Sequence, residues 1–172
     1  MVEVCCTARL VKRFDIAVGS AERGSNSNAL GPWYATLLNV GALRLVVWLN
    51  QSSNLTVITR ARRAEFPRHF PERLQALLNR IGIPNTLGAQ EGEASSTFQF
   101  VKAQDRSILG SLRDAGLRIR WDIERGLDLE TIEDHMAEMP ARATAFIFPR
   151  EVTFLRFGLP KPPVKRETLF GD

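Results

Sequence analysis

Cysteine is scarce in this 172-residue chain, and the two present, Cys5 and Cys6, are adjacent. Neighbours on a strand point to opposite faces. One thiol is therefore expected to be buried and the other to face solvent or a helix, both unbridged in a reducing compartment. Histidine is as rare: His69 and His135 stand far apart, and no Cys-x-x-Cys occurs. The common zinc and dithiol patterns are excluded, and no metal or other cofactor is expected. Long apolar runs are missing too. The longest, Leu43 to Leu49, falls well short of the ~20 residues of a membrane-spanning helix. The opening MVEVCCTARLVKRF puts an acid before the apolar patch and bases after it, the reverse of a secretory signal. The chain reads as cytoplasmic, with no membrane partner.

Catalytic templates are absent as well. Gly19, Gly24 and Gly31 precede a strand pattern and do not open a helix, so no phosphate loop is formed. Leu109-Gly110-Ser111 lies within a helix pattern, with no histidine placed by motif to serve it. The carboxylate pairs Glu133-Asp134 and Asp122-x-Glu124 read as a solvated acidic face. No catalytic residue is assigned.

Hydrophobic residues at 44% and charged residues at 24% fit one globular domain, residues 1–157, followed by a Pro- and Lys-containing tail over 158–172 expected to be poorly ordered. The strongest pattern runs from Asn28 to Arg60. Three apolar strands, Trp33–Asn39, Leu43–Leu49 and Leu55–Arg60, are separated by two short turn signals, which predicts an antiparallel meander. LRLVVWL is apolar on both faces, as a covered central strand would be. A first strand over Glu3–Thr7 leads into a helix over Ala8–Ile16. Helices are expected over 66–81, 106–119, 128–139 and 149–157, strands over 97–103 and 144–148, and loops over 19–31 and 85–96. The expected class is α+β: a mostly antiparallel sheet of about five strands with helices packed against it.

Charge is uneven. Residues 1–80 carry eleven Lys or Arg against five Asp or Glu, and Arg outnumbers Lys nineteen to four overall. Arg60, Arg62, Arg63 and Arg68 form a basic cluster after the third meander strand, either a solvated surface or a contact for a nucleic-acid backbone. Asp105, Arg106 and Ser107 lead from a strand into a helix. Helix starts present free N–H groups, so this segment either caps itself or receives an anion beside Arg106.

The amino-terminal Cys-Thr-x-x-Leu, the Asn28-Ala29-Leu30-Gly31-x-Trp33-x-Ala35-x-Leu37 segment, the apolar strand ending in Asn50 and the run from Arg106 to Ser111 occur together. In these motifs the chain resembles a family of small bacterial proteins that form a conserved domain of unknown function. The resemblance spans roughly residues 1–157. Family members read Arg-Ser-x-Leu-Gly-Ser-x-Asn-Asp where this chain has Arg113-Asp114 at the last two places. It implies a shared fold and no activity. The expectation is a non-catalytic binding or interaction protein whose protein partner meets Asp105, Arg106, Ser107, Trp33 and Asn28. The alternative is a nucleic-acid-associated protein using Arg60, Arg62, Arg63 and Arg68.

Overall fold

An apolar strand with no polar face needs cover on both sides, and this fold is arranged around one. In the computed structural model, which describes residues 1–20, 26–140, 145 and 147–163, strand β3 (Leu43–Asn50) lies inside a five-stranded sheet. Its neighbours β2 (Trp33–Val40) and β4 (Thr56–Arg60) both run antiparallel to it, so the expected meander is present. Strands β1 (Val2–Cys6) and β5 (Phe98–Lys102) complete the order β4-β3-β2-β1-β5. The class is α+β, as expected. The sequence pattern did not disclose that β1 runs parallel to both β2 and β5. Parallel pairing needs a long crossover, and both connections into β2 and β5 are long enough to supply one.

Six helices are present among the described residues: α1 (Ala8–Phe14), α2 (Phe70–Ile81), α3 (Asn85–Ala94), α4 (Arg106–Glu124), α5 (Leu129–Ala137) and α6 (Pro149–Arg156). Alternation along β3 sends Leu45, Val47 and Leu49 to one face, against Ile108, Leu112 and Ile119 of α4 and Ile132 of α5. Val46 and Trp48 face the other way, into a larger core with Leu10, Phe70, Leu74 and Leu77. That core is aromatic at its centre. The Trp48 ring lies 4.3 Å from Phe70 and 5.5 Å from Phe66, while Trp33 meets Phe70 edge-on at 5.0 Å. The Trp48 Nε1–H donates to Thr59 Oγ1 at 2.9 Å, so the buried indole has its acceptor.

Several boundaries differ from expectation. Helix α2 begins at Phe70, four residues later than the apolar spacing suggested; Pro67 removes a backbone donor, and residues 62–69 form hydrogen-bonded turns instead. Residues 85–96, expected as a loop, are mostly α3. Its glycines weaken the helical signal but permit close packing on α2: a Cβ at Gly92 would stand 3.3 Å from the Pro71 carbonyl oxygen. Helix α4 continues to Glu124 because Asp122 is buried against α5, with its carboxylate 3.8 Å from His135 Nδ1. Of the strand expected over 144–148, Ala145, Ile147 and Phe148 are not in a strand, and Thr144 and Phe146 lie outside the described residues. Residues 159–163 run back against α6, where Lys161 Nζ sits 3.0 Å from Glu151; residues 164–172 lie outside the described set.

The acidic face expected at Glu133-Asp134 needs correction, since Glu133 is fully buried. Helix α5 crosses the outer edge of β4 and packs on α2, which brings Glu133 to unpaired donors. Its Oε1 accepts the Ile58 backbone N–H at 2.8 Å, and its Oε2 accepts from Arg73 at 2.7 Å and Arg80 at 2.6 Å. Burial pushes the Glu133 carboxyl above its ordinary value, against the pull of Arg73, the Ile58 N–H and Arg80. Replacing Glu133 by Ala leaves the buried Ile58 N–H unpaired and takes from Arg73 and Arg80 their buried carboxylate, leaving them only the more exposed Glu130 and Asp134, so the expected loss is about 3–5 kcal/mol. Urea unfolding would show it as a lower midpoint at unchanged slope. Asp134→Ala, at a half-exposed carboxylate, is expected to cost less than about 1 kcal/mol.

Candidate functional site

Helix α4 leaves β5 through Asp105, whose side chain caps it. Asp105 Oδ1 accepts the backbone N–H of Ser107 at 2.8 Å and of Ile108 at 3.2 Å. A carboxylate thus already occupies the helix start, and its charge opposes a second anion there. Asp105, Arg106 and Ser107 are all exposed. With Ile108, Leu112, Ala115 and Ile119 committed to the core, another line of the helix carries Arg106, Arg113 and Arg120. Seven-residue spacing stacks them on one side, about 10 Å apart.

Where β1 ends, the chain turns into α1, which packs on the aromatic face of the sheet, while α4 packs on the opposite face. Between the two helices β2 continues past the end of β1, still paired with β3. The gap is a hollow of about 280 Å³, floored by Thr36, Leu37 and Leu38 and walled by Leu109, Leu112 and Leu117. Thr7 Oγ1 and Thr36 Oγ1 are hydrogen-bonded at 2.9 Å on its α1 side. Arg9, Arg113 and Arg120 form its rim. Among the described residues no acid pairs with any of the three, although Arg73, Arg80 and Arg150 elsewhere all hold carboxylates. Like charges gathered around an apolar floor repel one another, and a bound anion would relieve them. Leu117 at 60% and Trp121 at 66% exposure extend the apolar surface along α4, with the Arg125 guanidinium 5.7 Å from the Trp121 ring centre.

The other expected site residues are placed differently. Asn28 is buried, and its Nδ2 donates to the Gly31 carbonyl at 2.9 Å and to Glu91 Oε1 at 3.0 Å. Glu91, on α3, also accepts the N–H groups of Ala29 at 2.8 Å and Leu30 at 3.2 Å. Trp33 is fully buried against Phe70. Neither Asn28 nor Trp33 therefore shares a surface with Asp105, Arg106 and Ser107. Asn50 works in the same way: it donates to the carbonyls of Leu30 and Pro32 and accepts the N–H groups of Ser52 and Ser53. Arg60, Arg62, Arg63 and Arg68 are exposed; Arg62 holds Glu65 at 3.1 Å, and the others have no acid partner among the described residues.

Asn28, Trp33 and Asn50 are thus framework residues of this fold. The chain matches a defined family over residues 3–152. The chain belongs to DUF6933, a domain of unknown function. No curated protein and no solved structure matches it. In this DUF6933 chain no helix among the described residues is long and apolar enough to cross a membrane, and no described group of three or more His, Cys, Asp or Glu is placed to hold a metal ion.

Sequence reasoning missed Arg9, Arg113 and Arg120 as a group. The seven-residue repeat from Arg106 was visible, and so was the turn from β1 into α1 near Thr7, but not the parallel placement of β1 beside β2 that lets its end open the hollow.

Both thiols are buried because both faces of the sheet are covered; of the two outcomes expected for the second cysteine, solvent or a helix, Cys5 takes the helix side, in the cluster under α4. Burial pushes Cys5 up to about 11 and Cys6 up to about 12. Unfolded thiols ionise near 9.0, so raising the pH from there toward 11 releases protons only from the unfolded chain and lowers stability. A thiol reagent at about pH 8 is expected to leave both cysteines unmodified in the native protein and to titrate both in urea.

Proposed function

We infer that this DUF6933 protein is a non-catalytic binding protein whose working surface is the hollow between α1, β2 and α4. The observation that carries this reading is the rim of Arg9, Arg113 and Arg120, without carboxylate partners among the described residues, around a leucine-walled floor. A surface of that kind takes a partner with negative charge and some apolar contact. The apolar walls exclude some water and strengthen the charge interaction, while the exposed guanidiniums keep it salt-sensitive. Arg106, two turns further along the same line of α4, extends the cationic stripe beyond the hollow.

A second reading rests on a separate group of cations. Arg44 on β3 stands beside the chain leaving β4, where Ala61 N–H donates to its carbonyl at 2.9 Å, and it joins Arg60, Arg63 and Arg68 without an acid partner among the described residues. Such a patch suits a nucleic-acid backbone.

Titration with short oligoglutamate, followed by tryptophan emission, tests the first reading. Binding is expected to weaken steeply from about 50 to about 200 mM salt. The double change Arg113→Ala and Arg120→Ala is expected to lower affinity by roughly tenfold, or about 1.4 kcal/mol. Arg60→Ala with Arg63→Ala is expected to leave that affinity unchanged. Equal losses in the two variants would refute the assignment to the hollow. Retardation of an oligonucleotide, abolished by the Arg60 and Arg63 changes alone, would establish the second reading instead.

A further inference from the structure

Strand β1 pairs with β2 only from Val4 to Cys6, opposite Trp33 to Ala35. The last contact is the Thr7 N–H, which donates to the Ala35 carbonyl at 3.1 Å before the chain turns into α1. β2 goes on to Val40, paired with β3 along its whole length. Beyond Ala35, then, no strand among the described residues lies beside β2 on its β1 side. Main-chain groups alternate along a strand, and the Ala35 carbonyl points toward β1, so those of Leu37 and Asn39 point the same way. The arginine-rimmed hollow sits against this vacant stretch and includes Leu37 in its floor.

We propose that the hollow receives an extended, acidic peptide segment of a partner protein, which adds to β2 beside Leu37–Asn39 as a short strand in the line that β1 vacates. The proposal rests on the reading of the hollow as an anion-binding surface and names its occupant. Three observations favour a peptide strand. A free strand edge offers main-chain donors and acceptors at the spacing of another strand, which gives affinity without regard to sequence. The hollow's volume of about 280 Å³ is slightly below the range of ordinary small-molecule pockets, and three consecutive residues of β2, Thr36 to Leu38, line it. The rim selects charge: Arg9 on the α1 side and Arg113 and Arg120 on the α4 side repel a second copy of this chain, whose net charge is +4, and attract alternate acids on an incoming strand. Leu117, exposed at the wall, offers an apolar contact for the residues between those acids.

The test uses the full isotope-labelled chain and three probes: an acetylated Glu-Val-Glu-Val-Glu amide, the same peptide with alternate backbone nitrogens methylated, and oligothymidine of about ten nucleotides. Backbone methylation keeps every charge and removes the donors that a β ladder needs. The unmodified peptide is expected to shift the amide signals of Leu37 and Asn39 and to bind at least about tenfold more tightly than its methylated form. Arg113→Glu with Arg120→Glu is expected to abolish that binding, with circular dichroism reporting whether the exposed substitutions leave the fold intact. The methylated peptide keeps the comparison decisive even if they do not. Equal binding of both peptides, lost in the charge-reversed variant, would overturn strand addition while leaving the anion-binding reading standing. Tighter binding of oligothymidine at the hollow would overturn it in favour of nucleic acid. No binding of any probe would overturn both.

Discussion

Strand β3 has no face that tolerates water, and that single constraint organises the molecule. Leu45, Val47 and Leu49 on one side and Val46 and Trp48 on the other must all be covered, so helices have to pack on both faces of the sheet. Covering a residue such as Trp48 contributes about 2–3 kcal/mol relative to exposure, and aromatic contacts add to it. Helices on two faces must arrive from somewhere. α1 leaves β1 toward the aromatic side, and α4 leaves the neighbouring β5 toward the other. Connections that depart to opposite faces from adjacent parallel strands open a crevice at the strand ends. The hollow thus follows from how the core is closed.

Much of this was legible in the sequence and some was not, for physical reasons. The meander could be read because strong β-formers alternate or run together between compact turn signals, and local pattern decides such elements. Helices α2, α4 and α5 showed their apolar spacing plainly. Helix α3 did not, because Gly88 and Gly92 lower its intrinsic propensity; the helix exists through its packing on α2, which no local pattern reports. The parallel placement of β1 is likewise a tertiary fact. It depends on where two long connections return, and its consequence, the bare stretch of β2, was invisible for the same reason.

The candidate site residues divide along the same lines. Asp105 was read correctly as a possible cap, because an Asp before an apolar-periodic run is a local signal. Asn28 and Trp33 had seemed candidate contacts because they stand in a recurring motif, yet their role is internal. The 28–31 turn has backbone N–H groups that no strand can satisfy, and Glu91, more than sixty residues away, supplies the acceptor. A buried carboxylate on a helix that satisfies main-chain donors also appears at Glu133. Glu133 was expected on a solvated face and Glu91 in a loop, since only the folded chain reveals that their neighbours lack partners. Asn28 and Trp33 thus serve the framework, whereas Arg9, Arg113 and Arg120 at the hollow hold no carboxylate among the described residues.

The margins of the sheet carry one more implication. Glu133 occupies the Ile58 N–H on the outside of β4, and the Gly19 N–H donates to the Phe100 carbonyl on the outside of β5. Open margins are where identical chains template onto one another and grow into fibrils. With both outer strands interrupted in this way, stacking of copies through β4 and β5 is disfavoured.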